Sequence, residues 1–523
     1  EAMDIDAYLA GGVMKRVFAV HDETELEPIR RRWVKSIQPF AAWKDYTSDK
    51  ETNSMEDLSY VRSYYGEKVA FYYAWFCHYT ATLTYIVPFG LAVSIYQYLT
   101  GATTSGYLTF YSIILVIWST YHGETWKSKQ EELAYRWDML EFEREEKNRP
   151  EFRGDENINP KTGFVEKHYP ESERRRKEWL SLPMLVTFAG GVVVAFVAIQ
   201  LWKQLIILNY TGNYLTIMTT VASCANAAQI IVLDLLWTKL AHALADWENH
   251  RTDTEWEDSY IYKKFTFMLV NNTMSAFYVA FVERDISKLF GMMYSLIIVK
   301  QLTNVVKDVS IPLLKTWPKR HKLKKMAKEI DVESESTWGY TVPGLPDLSK
   351  AECVEARLEV CENDVMEGWG GTANEYSELM IQYAFVVLFS PAFPLAPVVA
   401  WLFNIIGIRG EMLVNTSVVQ RAPTTGARDI GSWQTIQEGM CIASIVVNVG
   451  ILLFTMDGKL GSFYESWFPS REAVVWSLIG LEHILLLVKV SLQTLINDKP
   501  VWVVEAIAQQ QFNQTLALQK KKH

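Results

Sequence analysis

The feature that most constrains this chain is the length of its apolar stretches. A helix needs about 20 largely apolar residues to cross a bilayer. About ten stretches meet that demand, near 69–99, 106–125, 179–208, 214–245, 262–282, 290–314, 376–391, 394–413, 436–456 and 473–496. Buried helices of a large soluble protein are the alternative, and too many stretches reach full membrane length for it. The mean hydropathy of +0.00 then averages two populations, apolar spans and charged connections. In "FVVLFSPAFPLAPVVAWLF", Pro391, Pro394 and Pro397 interrupt the apolar run. Because proline cannot continue a helix, this run predicts two short helices joined by a bend.

The composition excludes other classes. A content of 13% aromatic residues and the absence of a repeat exclude disorder, collagen and coiled coil. Five cysteines without a C-x-x-C pair exclude a disulfide scaffold and a cysteine zinc cluster. The net charge of −9 argues against a nucleic-acid binder. No phosphate-binding glycine loop, Ser-His-Asp order or metalloprotease helix appears, so enzymatic chemistry has no support. Asn209-Tyr210-Thr211 forms a glycosylation sequon in a very short outer loop, too close to the bilayer for use.

Charge on the connections sets orientation. With a cytoplasmic N-terminus, the cytoplasmic side receives the clusters Glu173–Lys177, Lys319–Lys328 and Lys520–His523. The opposite side receives "TGATTSG", "NYTGN", "VERDISK" and "FTMDGKLGSFYESWFPSRE". This is the positive-inside pattern, and it places both termini in the cytoplasm with an even number of spans. Cys353 and Cys361 then face a reducing compartment as free thiols. No signal peptide is visible, and the first residue is Glu1, which reads as a trimmed version of a longer chain. The expected fold class is an all-α membrane protein of ten transmembrane helices with a small cytoplasmic α+β N-terminal region. Its expected parts are 1–67 cytoplasmic, 68–498 membrane and 499–523 a cytoplasmic C-terminal helix or tail. Residues 127–178 read as a charged helix followed by a loop through "NRPEFRGDENINPKTG".

Ionisable residues inside the apolar stretches carry the functional information, since each costs about 2.5–3.5 kcal/mol at the bilayer centre. In the sixth stretch Asn304 and Asp308 lie one helical turn apart on one face. In the seventh, Glu375 and Glu378 share a face, and the eighth offers Glu411. With the bend near residue 393, Glu378 and Glu411 lie roughly 22–27 Å from it at 1.5 Å per residue. A hairpin returns both to the same cytoplasmic depth as Asp308. Such acids are either protonated or hold a cation, and oxygen-only donors suit calcium better than zinc or copper. The blander alternatives are acids facing water, Asp308 paired with Lys300 or Lys307, and Glu411 paired with Arg409.

At these residues the sequence resembles the anoctamin family of calcium-activated lipid scramblases and chloride channels. The matching blocks are "YYGEKVAFYYAW", "ADWENHRTDTEWEDS", "KQLTNVVKDVSIP", "EYSELMIQYAFVVLFSPAFPLAP", "NIIGIRGE", "ARDIGSW" and "EHILLLVKVSLQTLINDKP". The resemblance implies a homodimer of ten-span subunits in the plasma membrane or endoplasmic reticulum, with a lipid-facing groove bordered by spans three to seven. It also implies two calcium ions per subunit held by Asn304, Asp308, Glu375, Glu378 and Glu411, with Asp498 near a remote calcium position. Two departures stand out. The family's first acid in span eight falls on Gly407, which weakens or reduces calcium binding, and residues 297–299 replace a hinge glycine with Ile, Ile and Val.

A lipid-conducting groove needs polar faces open to the bilayer. Thr219, Ser223 and Asn226 in the fourth stretch, followed by Gln229 and Asp234, supply such a face. Asn271, Asn272, Thr273 and Ser275 in the fifth do the same, with Gln200, Lys203 and Gln204 in the third and Lys300 and Gln301 in the sixth. Small polar residues that glue helices together are the alternative. The expected function is a calcium-activated phospholipid scramblase with accompanying ion conduction. A calcium-activated chloride channel and a membrane tether with vestigial transport are the other readings.

Overall fold

The computed structural model describes residues 19–34, 53–101, 106–158, 163, 165–319, 321–322, 366, 368–455 and 470–522. Cys353, Cys361, most of the basic run 319–328 and residues 456–469 lie outside the described residues. Among those described, Cys77, Cys224 and Cys441 are free thiols. The helices, in order, are α1 (Glu23–Trp33), α2 (Asn53–Tyr65), α3 (Glu67–Thr100), α4 (Tyr107–Arg136) and the single turn α5 (Phe142–Glu145). After strands β1 (Asp155–Ile158) and β2 (Val165–His168) come α6 (Glu171–Asn209) and α7 (Gly212–Glu248). Helices α8 (Asp253–Glu283) and α9 (Ile286–Lys319) follow. The last five are α10 (Thr372–Leu388), α11 (Ala396–Ser417), α12 (Ser432–Thr455), α13 (Arg471–Leu495) and α14 (Val501–Lys522).

Each predicted apolar stretch falls on a helix, and eight of these helices are long and apolar enough to cross a membrane. The two others are α4 and α10. In α4 the charged run from Glu124 to Arg136 dilutes the apolar half. In α10 the 17 residues reach only about 26 Å, short of the ~30 Å hydrocarbon core. The proline-rich bend lies at residues 389–395, between α10 and α11, as three prolines demand.

One expectation needs correction, that residues 127–178 hold only a charged helix and a loop. The described part of the N-terminal region consists of helices α1 and α2, with one isolated bridge from Ala19 to Arg421, and shows no strand among its described residues. The described strands instead lie in the stretch read as a loop, where β1 and β2 form an antiparallel hairpin with Asp155 opposite His168. Polar, alternating residues such as "DENI" carry no apolar face, so burial periodicity gave no sign of them; cross-strand pairing decides there.

The chain divides into two compact units. The first comprises residues 1–81, 298–374 and 399–426. In it the start of α3 runs against α11 in opposite directions. Tyr65 Oη donates to the Asn415 carbonyl at 3.0 Å, and Asn415 Nδ2 donates to Tyr73 Oη at 2.9 Å. The N-terminal helices join the segment after α11. His21 is buried between Tyr64 Oη and the Val419 carbonyl, each at 2.8 Å, and the Arg421 guanidinium lies 4.0 Å over the Tyr64 ring.

The second unit comprises residues 82–297, 375–398 and 427–523. Its helices α6, α7 and α8 meet around Trp237, Val192, Leu244 and Phe267, with Trp237 and Phe267 stacked at 5.2 Å. Helices α4, α12 and α13 meet around Val116, Ile445 and Leu485. Against lipid, van der Waals packing and buried hydrogen bonds have to hold such contacts, since tails are as apolar as leucine. At the bend, the Pro394 carbonyl accepts from Tyr111 Oη at 3.0 Å. A Cβ on Gly90 would meet that same oxygen at 2.5 Å, so only glycine lets α3 approach it.

Polar clamps fix helix ends. The fully buried Glu248 accepts from Ser259 Oγ at 2.5 Å and from Lys263 Nζ at 2.8 Å, and its Oε2 lies 2.9 Å from His250 Nε2. Helix α12 begins at Gly431, which has no capping side chain, and Asp258 of α8 supplies the acceptor. Its Oδ1 takes hydrogen bonds from Ser432 N at 2.8 Å and Ser432 Oγ at 2.6 Å. Beside it Asp429 Oδ1 accepts from Gly431 N at 2.6 Å.

Glu248→Ala strands the Lys263 ammonium in a buried site. It should lower stability by about 3–5 kcal/mol, read as thermal unfolding in detergent, and a loss within error would remove Glu248 from the structural core. For Asp429, burial raises the carboxyl above its usual range, against the opposing hydrogen bond from Gly431 and the Arg428 charge. A raised folded-state value means stability present at low pH is lost as pH climbs from about 4 through that value. Asp429→Asn, neutral throughout, should therefore gain stability over the parent progressively across that window. A pH-independent difference would refute the assignment.

Candidate functional site

Within the first unit, Asn304 and Asp308 lie on α9 where its backbone changes winding. Residues Ser295–Val299 and Val305–Ser310 are π-helical, so their hydrogen bonds reach five residues back instead of four. The first π turn coincides with Ile297, Ile298 and Val299, the residues that replace the hinge glycine. Irregularity at that level of the span is therefore kept by backbone winding instead of by a glycine. Asp308 is partly exposed and pairs with its neighbour Lys307 at 3.4 Å, the partner foreseen as the bland alternative. An exposed pair of this kind contributes little.

Glu411 lies on α11. Tyr72 Oη, on the fully buried Tyr72, donates to Glu411 Oε2 at 2.6 Å. One turn away on both helices, the Phe76 ring fills the space beside Gly407, with Cζ 3.3 Å from where a Cβ would stand. On the α9 side, Val309 Cγ2 would come within 2.6 Å of a Cβ on Gly410. Gly410 is thus a notch that lets the π turn carrying Asp308 approach the turn carrying Glu411.

In the second unit, Glu375 occupies the first turn of α10 and Glu378 the next. Lys264 of α8, buried to 8% exposure, lies within electrostatic reach of Glu378 and Asp234. The donor chemistry, carboxylates with one carboxamide and no His or Cys, fits a hard cation. Among the described residues, no group of three His, Cys, Asp or Glu side chains is arranged to hold a metal ion. The remote candidate Asp498 is exposed. Glu131 pairs with Lys499, the neighbour of Asp498, at 3.2 Å and with Arg428 at 3.3 Å.

The polar residues expected to line a groove separate into two kinds. Thr219 and Ser223 donate to carbonyls one turn back in α7, and Asn272 does so in α8. Asn271 joins helices, its Nδ2 donating to the Ile230 carbonyl of α7 at 3.0 Å, as a gluing residue does. By contrast, Asn226 Oδ1, Gln229 Oε1 and Asn271 Oδ1 are buried acceptors without a hydrogen-bond partner. Ser275 and Lys300 are half-buried. The wall itself is thinly covered: of the most apolar window of α7 only 6% is buried, and of α6 11%, against 50% for α12.

A mostly helical chain with eight helices able to cross a membrane among its described residues is an integral membrane protein. Residues 61–510 match the anoctamin family, described as calcium-activated chloride channels, and the chain belongs to that family. It is 28% identical to anoctamin-7 of Homo sapiens over 90% of its own length and 57% of that protein. It is 27% identical to anoctamin-3 of Homo sapiens, covering 77% of this chain and 47% of the relative. To anoctamin-10 of Homo sapiens it is 27% identical over 98% of the chain and 72% of the relative. The chain thus spans about half the length of anoctamin-7 and anoctamin-3.

Tyr72, Lys264 and Glu248 carry site or scaffold roles that the sequence reading missed. The tyrosine-rich "YYGEKVAFYYAW" block was the available signal for the first, since buried hydroxyls require partners. Filling the Gly410 notch by Gly410→Val should cost about 1–3 kcal/mol through overpacking against Val309, measured by thermal unfolding. Unchanged stability would show that α9 yields freely there.

Proposed function

We propose that this chain is a calcium-regulated phospholipid scramblase, conducting ions along the same polar groove, and that it works as a homodimer. The observation that carries the reading is the wall formed by α6 and α7. It is long enough to cross the bilayer and thinly covered, and its sequence sets Thr219, Ser223, Asn226 and Gln229 at helical spacing. Polar side chains on a lipid-facing wall favour water or a polar headgroup over hydrocarbon. A lipid can slide its headgroup along that stripe while its tails stay in the membrane. Thr219, Ser223, Asn271, Asn272, Ser275 and Lys300 complete the proposed path.

The proposed cation ligands are Asn304, Asp308, Glu375, Glu378 and Glu411, with two ions per subunit as the family pattern and Gly407 acting against the second. Bound calcium would supply the positive charge that lets these acids approach one another. Without it, the like charges of Asp308 on α9 and Glu411 on α11 would repel, and α9 is π-wound at that level. A ligand shifts such an equilibrium only through tighter binding to one state. We place both termini in the cytoplasm, with residues 68–498 as the membrane part and 1–67 and 499–523 as cytoplasmic parts. The membrane is either the plasma membrane or the endoplasmic reticulum.

A calcium-activated anion channel is the second reading, favoured by the description of the matched family and by Lys203 and Lys300 beside the path. Liposome reconstitution separates the two. Exposure of labelled lipid, increased by calcium, supports scrambling, and chloride efflux without lipid movement would sink it. Neither activity in either condition would favour a tether. Asp308→Ala and Glu378→Ala should each move the calcium dose–response by about tenfold or more. Asn226→Leu with Gln229→Leu should slow lipid transfer at saturating calcium.

A further inference from the structure

We propose that Tyr72 is a positioning residue of the cation site, and that α3 takes over the place of the acid absent at residue 407. The inference rests on the reading of Glu411 as a calcium ligand and assigns the control of that ligand to a helix that carries none. Helices α3 and α11 meet in register: Tyr72 bonds Glu411, and four residues further on Phe76 faces Gly407, four residues back. The two steps run in opposite directions along antiparallel helices, so a single face of α3 contacts both positions of the ligand face of α11.

The hydroxyl that holds Glu411 is itself fixed. The Tyr72 ring is fully buried, edge-on to Tyr73 at 5.2 Å and tilted against Phe76 at 5.9 Å. Tyr73 in turn is tied to Asn415, the next turn of α11. The carboxylate therefore has one oxygen pinned by a donor that cannot swing away. Partners of this kind orient a metal ligand, and their loss commonly weakens metal affinity about 10–100-fold. Phe76 answers the other half of the departure. Its ring lies where a side chain at 407 would begin, so the missing acid leaves packed aromatic surface and not a hydrated gap.

A purely structural role for the hydroxyl predicts a loss of stability alone, so the test needs a binding readout and a matched control. Calcium titration calorimetry on the full chain in nanodiscs, with thermal unfolding in calcium-free buffer, supplies both. Tyr72→Phe should weaken calcium binding about 10–100-fold. Tyr111→Phe, which removes a buried hydroxyl bonded to the Pro394 carbonyl at the bend, should leave affinity unchanged. Equal affinity for Tyr72→Phe and the parent, with Glu411→Ala still weakening binding, would overturn this inference and spare the site assignment. Equal weakening by both tyrosine variants would also overturn it, marking a general packing effect. If Glu411→Ala binds calcium like the parent, Glu411 is no ligand and both readings fall.

Discussion

Hydrocarbon offers no hydrogen-bond partner, and the structure of this chain follows from that shortage. Every polar group within the spans must find its partner inside the protein or keep company with water. Thr219 and Ser223 turn back to their own helix, Asn271 reaches across to α7, and Tyr111 caps the buried carbonyl of the bend at Pro394. Glu248 collects several donors at the end of α7.

The same shortage explains what the sequence disclosed. Span length is a one-dimensional property, so the apolar stretches and the proline bend were legible directly. The candidate acids were legible because ionisable residues are rare in such stretches. What decides their partners is three-dimensional. Tyr72 lies 339 positions from Glu411, and nothing local to "NIIGIRGE" favours a tyrosine over the adjacent Arg409. Lys264 escaped for a related reason, because a base on α8 bears on an acid of α10 only once the helices are assembled.

Backbone winding was the least visible layer. A π turn leaves composition and apolar period nearly unchanged, so Ile297 to Val299 read as an ordinary span lacking its glycine. The β1–β2 hairpin was hidden for the opposite reason, since polar strands carry no period at all. In both places hydrogen bonding between backbone groups, not side-chain character, selects the structure.

The ladder of tyrosines between α3 and α11 has a mechanical consequence. Tyr72 bonds Glu411, Tyr73 and (from the end of α2) Tyr65 bond Asn415 one turn on, and Phe76 wedges beside Gly407, so that half of α11 is braced along its length. On its other side it meets α9 through the bare backbone of Gly410 and one valine. A braced helix with a smooth flank behaves as a stator. Motion at this locus then belongs to the partner that slides past it, and substitutions that roughen the flank would act as friction on α9 and leave the brace intact.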